Sequence, residues 1–98
     1  MKWYVSGPMT GYEDLNFPAF AAVTADLREH GHEVISPAEH NPDPNADWLE
    51  CILEDIKLVA QCDAMIMLWG WNESYGAQIE HLVAQKLQLH IEYEEADD

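Results

Sequence analysis

The feature that most limits what this chain can fold into is residues 62–80, CDAMIMLWGWNESYGAQIE. Residues 64–68 are an unbroken apolar run, which is how a strand buried on both faces reads. Residues 70–73 make a polar turn around Gly70, and Ser74 then opens a helical pattern with Gly76 and Ala77 in its first turn. A buried strand, a short loop and a helix start form the unit that open α/β sheets place at the carboxyl ends of their strands. Gly76, Ala77, Glu80, Val83, Ala84 and Leu87 fall on one helical stripe at core-facing spacing. A carboxylate on such a stripe is costly unless it has a partner or a task.

The rest of the chain repeats the alternation. Residues 2–6 (KWYVS) read as a first strand and residues 7–11 (GPMTG) as its loop. Asn16 stands before Phe17 and Pro18 as a helix cap with proline in the first turn. Phe20, Val23 and Leu27 recur at helical spacing until Gly31. Residues 33–36 are a short second strand, and the three prolines of residues 37–45 mark a loop. Residues 46–61 carry a second amphipathic helix, with Trp48, Leu49, Ile52, Leu53, Ile56, Val59 and Ala60 apolar and Asp55 on the same side. Residues 89–93 read as a fourth strand. This β-α-β-α-β-α-β order with short connections predicts a Rossmann/flavodoxin-like three-layer α/β sandwich, a four-stranded parallel sheet with helices on both faces. At 98 residues the chain has room for one domain, taken as residues 1–93 with an acidic tail at 94–98. Glu92 already belongs to the acidic end, which reads as a solvated, frayed segment. So short a chain buries a modest share of its surface, and association would help it.

Charge excludes several partners. Four Lys and Arg stand against nineteen acids, a formal charge of −15, and such a field repels nucleic-acid polymers. No apolar segment reaches membrane-spanning length, and residues 1–6 are too short for a signal peptide. Cys51 and Cys62 lie on or beside one helix, too far apart along it to pair, so a reduced, cytoplasmic chain is expected. His30 and His32 straddle Gly31 without a nearby cysteine and make a poor metal site.

Asp55 and Glu80, each on an apolar helix face, are the sharpest chemical signal. Two carboxylates suit chemistry at a sugar anomeric carbon, one attacking and the other managing a proton; they can also simply reach the rim. Ser74 and Gly76 fit a ligand-anchoring helix start or an ordinary cap. Gly7, Thr10 and Gly11 follow the first strand, where ligands meet such sheets, or form a plain turn. Tyr4 is a strand residue whose hydroxyl could reach a carboxylate. Trp69 and Trp71 flank Gly70, placed to stack on a base or to pack in a core or interface.

YVSGPMTG at residues 4–11, NFPAF at 16–20, GHEVISPAE at 31–39 and CDAMIMLWGWNESYGAQIEHLVAQ at 62–85 resemble a small phage and bacterial family of unknown function. That family is similar to the nucleoside 2-deoxyribosyltransferases and the 2′-deoxynucleoside 5′-monophosphate N-hydrolases. The resemblance implies Glu80 as nucleophile on C1′, Asp55 as the carboxylate at the sugar or leaving base, and Tyr4 as the residue positioning the nucleophile. It implies Ser74 and Gly76 as anchors of a phosphate or 5′-oxygen and Gly7 as part of the sugar site. It further implies no metal or other cofactor, a small nucleoside or nucleotide as ligand, and a homodimer or larger homo-oligomer. Pro8 and Thr10 stand where the hydrolases often have Ser and Arg, and the chain is shorter than those enzymes. An N-glycosidase or transferase, a protein that binds a nucleotide metabolite without turnover, and an interaction protein are the readings to be separated.

Overall fold

Apolar strand residues with short connections build the parallel sheet that the alternation predicts. The computed structural model describes residues 1–40 and 47–94. Its elements in order are β1 (Lys2–Ser6), a short 3₁₀ turn (Glu13–Asn16), α1 (Phe17–Glu29), β2 (Glu33–Ile35) and the one-turn helix α2 (Pro37–His40). There follow α3 (Trp48–Val59), β3 (Ala64–Met67), a second 3₁₀ turn (Trp71–Glu73), α4 (Tyr75–Lys86) and β4 (His90–Tyr93). The strands are all parallel, in the order β2-β1-β3-β4. The chain therefore leaves β1 toward one edge and β3 toward the other, so a crevice opens between the carboxyl ends of these two central strands.

Side chains alternate across the sheet and feed two cores. Tyr4, Met65 and Met67 pack with Val59 of α3 and with Ala77 and Ala84 of α4. Val5 and Leu68 pack with Phe20 of α1 on the opposite face, joined by half-buried Val23, Leu27 and Ile66. The period of two along a strand sets this division: Tyr4 and Ser6 share the face that meets α4, while Val5 turns to α1.

Several boundaries differ from the sequence reading for local reasons. Pro37–His40 is a turn of helix where a loop is expected; the rest of that loop and Ala46 lie outside the described residues. α3 starts one residue after Asp47, whose side chain accepts from the Glu50 N–H at 3.4 Å. Asn16 sits at φ 62° and does not cap α1 with its side chain; its amide instead donates to the Pro8 carbonyl at 2.9 Å, tying the first loop down. Glu92 belongs to β4, and Glu94 accepts from the Trp69 N–H at 3.1 Å, so the acidic end is held to the sheet at least that far. Leu87, placed on the buried stripe of α4, is half exposed because the helix ends there. Leu49 and Leu53 are also exposed: the face of α3 turned to the sheet is the one carrying Ile52, Asp55 and Val59.

Gly7 marks where β1 and β3 come closest beyond the sheet. A Cβ there would stand 2.6 Å from Leu68 Cβ, an atom fixed to the backbone that no rotamer change can move away. Gly7→Ala is expected to destabilise the fold by about 1–3 kcal/mol through overpacking, measured by urea unfolding; an unchanged midpoint would contradict the close approach.

Candidate active site

The crevice between β1 and β3 is closed on one side by the first turns of α3 and α4. Ser74 starts α4, its Oγ accepting from the Ala77 N–H at 3.3 Å, and the helix then carries Ala77, Glu80 and Ala84 inward. Gly76 admits α3: a Cβ at this position would lie 2.9 Å from Ile52 Cδ1 and 4.0 Å from the Trp48 indole nitrogen. The result is a cavity of about 110 Å³ with Asp55 and Glu80 on its wall, bordered by Gly7, Thr10, Ser74 and Gly76. Met9, Pro37, Trp48, Cys51, Ile52 and Ala77 complete it.

Glu80 is 4% exposed and Asp55 is 7% exposed. The Glu80 carboxylate is gripped by two hydroxyls from alternate residues of β1. Tyr4 Oη donates to Oε2 at 2.8 Å and Ser6 Oγ donates to Oε1 at 2.7 Å. Asp55 lies near enough to hydrogen-bond with Glu80, and its charge disfavours a second charge there. Burial outweighs the two hydroxyl donors, and together with Asp55 it lifts the Glu80 carboxyl to about 8. Tyr4, fully buried beside these acids, is held well above the usual tyrosine range and stays a neutral donor. At neutral pH Glu80 therefore carries a proton, and its contact with Asp55 lets the two acids share it.

The structure thus brings together Tyr4, Asp55, Glu80, Gly7, Thr10, Ser74 and Gly76. It does not bring the other sequence candidates there. Gly11 is exposed, at φ +86°, and borders neither this cavity nor its mouth. Trp69 and Trp71 border a separate hollow of about 320 Å³ with Glu94. The left-handed Gly70, at φ +88°, turns the chain away from the crevice before Trp71, whose ring then stacks against His81 at 4.3 Å and lies 5.8 Å from Tyr93. The aromatic residue at the cleft is Trp48 instead. Ser6 and Trp48 were both missed from the sequence. Ser6 had a signal, since it lies two residues beyond Tyr4 and so shares its face of the strand.

An outer cavity of about 410 Å³ shares Thr10, Trp48, Ser74 and Gly76 with the inner one, so the two adjoin at these residues. Tyr12, Tyr75, Pro8 and Glu73 form the rest of its wall. Cys51 and Cys62 are not joined in a disulfide, and burial pushes the Cys62 thiol up to about 11. Among the described residues no three His, Cys, Asp or Glu side chains gather as a metal cluster, and no helix is long and apolar enough to cross a membrane.

One family model, described as a domain of unknown function (DUF4406), matches residues 1–93. The chain belongs to that family. A comparison of the DUF4406 chain with curated protein sequences found no significant match. Among solved structures it is similar to a 2-desoxiribosyltransferase from Leishmania mexicana, with a TM-score of 0.76 at 18% identity. That match covers 98% of this chain and 65% of the other, so the DUF4406 domain is shorter than this neighbour by about a third. It is also similar to a 2-deoxyribosyltransferase from Bacillus psychrosaccharolyticus, with a TM-score of 0.75 at 17% identity, covering 100% of this chain and 77% of that one. The resemblance read from the sequence, to a family of unknown function akin to the deoxyribosyltransferases, is borne out. At such identities the likeness is one of fold.

Proposed function

We propose that this protein cleaves the N-glycosidic bond of a nucleoside or nucleoside monophosphate, with Glu80 as nucleophile. The observation that carries the reading is the Glu80 carboxyl itself. It is buried at the wall of a cleft beyond the central strands, aligned by Tyr4 and Ser6, and in contact with a second acid. A protein with no chemistry to perform has little reason to hold two acids together out of water, where each costs several kcal/mol unless neutralised.

The chemistry follows from the shared proton. With the proton on Asp55, Glu80 is an anion steadied by two hydroxyl donors. Its Oε attacks C1′, the C1′–N bond breaks with its electron pair going to the base, and Asp55 hands the base a proton. Asp55, now ionised, next takes a proton from water or from an incoming base. That acceptor attacks C1′ and releases Glu80. The neutral Tyr4 hydroxyl remains a donor throughout and keeps the attacking oxygen in place. The fold shared with the 2-deoxyribosyltransferases supports a pentosyl group as the piece transferred.

Chromatography of 2′-deoxynucleosides, ribonucleosides and their 5′-monophosphates after incubation with the protein tests this. Release of free base, or exchange of one base for another, is the expected result. Tight binding without release would replace the enzyme by a protein that sequesters the ligand. Neither binding nor release would remove the proposal.

A further inference from the structure

We propose that the cleft takes a nucleoside without a 5′-phosphate, and that Glu73 at its mouth is the residue that turns anionic ligands away. This rests on the glycosidic reading above and narrows it. The chain holds only four Lys and Arg, and none occurs between Arg28 and Lys57 or after Lys86. Lys2 is on β1 at the amino edge of the sheet, away from the crevice. Arg28 is bound in two-pronged fashion by Glu39, at 2.9 and 2.7 Å. Lys57 and Lys86 are in the last turns of α3 and α4, at the opposite ends of these helices from the cleft. Among the described residues no Lys or Arg borders either cavity, whereas Asp55 and Glu80 border the inner one and Glu73 the outer one.

Among the described residues, an anion at the cleft would find positive potential at the starts of α3 and α4. At α3 the Asp47 carboxylate caps the helix, accepting from the Glu50 N–H, and offsets that potential. At α4 two features use the potential up. Ser74 Oγ already accepts from the Ala77 N–H. The Glu73 carboxylate belongs to the residue just before this cap and offsets the positive end of the helix. The remaining wall, formed by Tyr12, Trp48 and Tyr75, offers rings and hydroxyls, which suit a planar base or a bare 5′-hydroxyl. A phosphate dianion placed there would face carboxylates with no counter-charge.

The test compares each 2′-deoxynucleoside with its own 5′-monophosphate, in wild type and in Glu73→Gln and Glu73→Lys. Wild type is expected to favour the nucleoside in kcat/KM by at least about 30-fold at low salt, a preference that added salt shrinks. Glu73→Lys is expected to reduce that preference by about tenfold, with Glu73→Gln between the two. Far-ultraviolet circular dichroism checks that the variants fold. A wild type that prefers the monophosphate, or a preference that Glu73→Lys leaves untouched, overturns the proposal. Should no base be released at all, the glycosidic reading fails separately. Selectivity is then read from equilibrium binding of the same pairs to wild type and Glu73→Lys. Nucleoside binding weakened by the phosphate and relieved by lysine supports the proposal; equal or tighter monophosphate binding, or no binding by either ligand, overturns it.

Discussion

Replacing Glu80 by glutamine is expected to lower base release by at least about a thousandfold, equivalent to about 4 kcal/mol of barrier, in a protein that still folds. Glutamine keeps the length and shape of the side chain. Its amide oxygen can accept from one of the two hydroxyls, Tyr4 or Ser6, and its NH₂, in the place of the other oxygen, can donate to the second hydroxyl or to Asp55. What it lacks is the charge that bonds to C1′ and then leaves. Binding, by contrast, depends on the cleft walls and should persist. A loss in kcat with binding retained separates a missing nucleophile from a collapsed pocket, and thermal melting supplies the check on folding. Release within tenfold of wild type would show that the reaction, if it occurs, does not pass through this carboxylate.

The same variant is expected to remove a loss of stability in alkali. Glu80 in the folded protein holds its proton up to about 8, against 4.5 for an ordinary glutamate. The folded state therefore binds more protons than the unfolded one between these two values, and stability falls as pH rises through that window. The stabilisation is present in full below about pH 4.5 and is lost by about pH 8. At about 1.4 kcal/mol per tenfold change in proton affinity, the loss reaches as much as about 5 kcal/mol. Other acids titrate as well, so the informative quantity is the difference between Glu80→Gln and wild type, from urea unfolding at several pH values. Wild type should lose ground to the variant steadily from pH 5 to about pH 8, and the difference should level off above that. A difference that stays level would mean that Glu80 is ionised in the folded protein at neutral pH.

Much of this site could be read from residue spacing, and the parts that could not share one physical cause. Glu80 and Asp55 were visible because a carboxylate on an apolar helix stripe breaks the pattern, and the helix period places both toward the sheet. The Ser74 cap follows from a hydroxyl residue at the start of that pattern. Which strand face meets which helix depends on strand order, and nothing local specifies that the sheet runs β2-β1-β3-β4. Ser6 was therefore missed although it lies beside Tyr4 on the same face. Trp69 and Trp71 illustrate the other limit. Their position after β3 is that of ligand-facing loop residues, but the left-handed Gly70 sends Trp71 toward His81 and Tyr93, and Trp48 occupies the cleft wall from a helix distant in sequence. Helix faces that look equally apolar, such as those of α3 carrying Leu49 with Leu53 and Ile52 with Val59, are told apart only by what packs on them.

The most direct test of the claim that Glu80 attacks sugar carbon is to catch the bond it forms. In Asp55→Asn, a nucleoside whose base leaves without needing a proton can still react with Glu80. The second step then lacks its base, and the sugar stays on the protein. Acid quenching, intact-mass measurement and digestion should find one pentosyl group per chain, on the peptide that contains Glu80. Free base released with the sugar on a different residue, or released at full rate with no adduct at any time, would contradict the account.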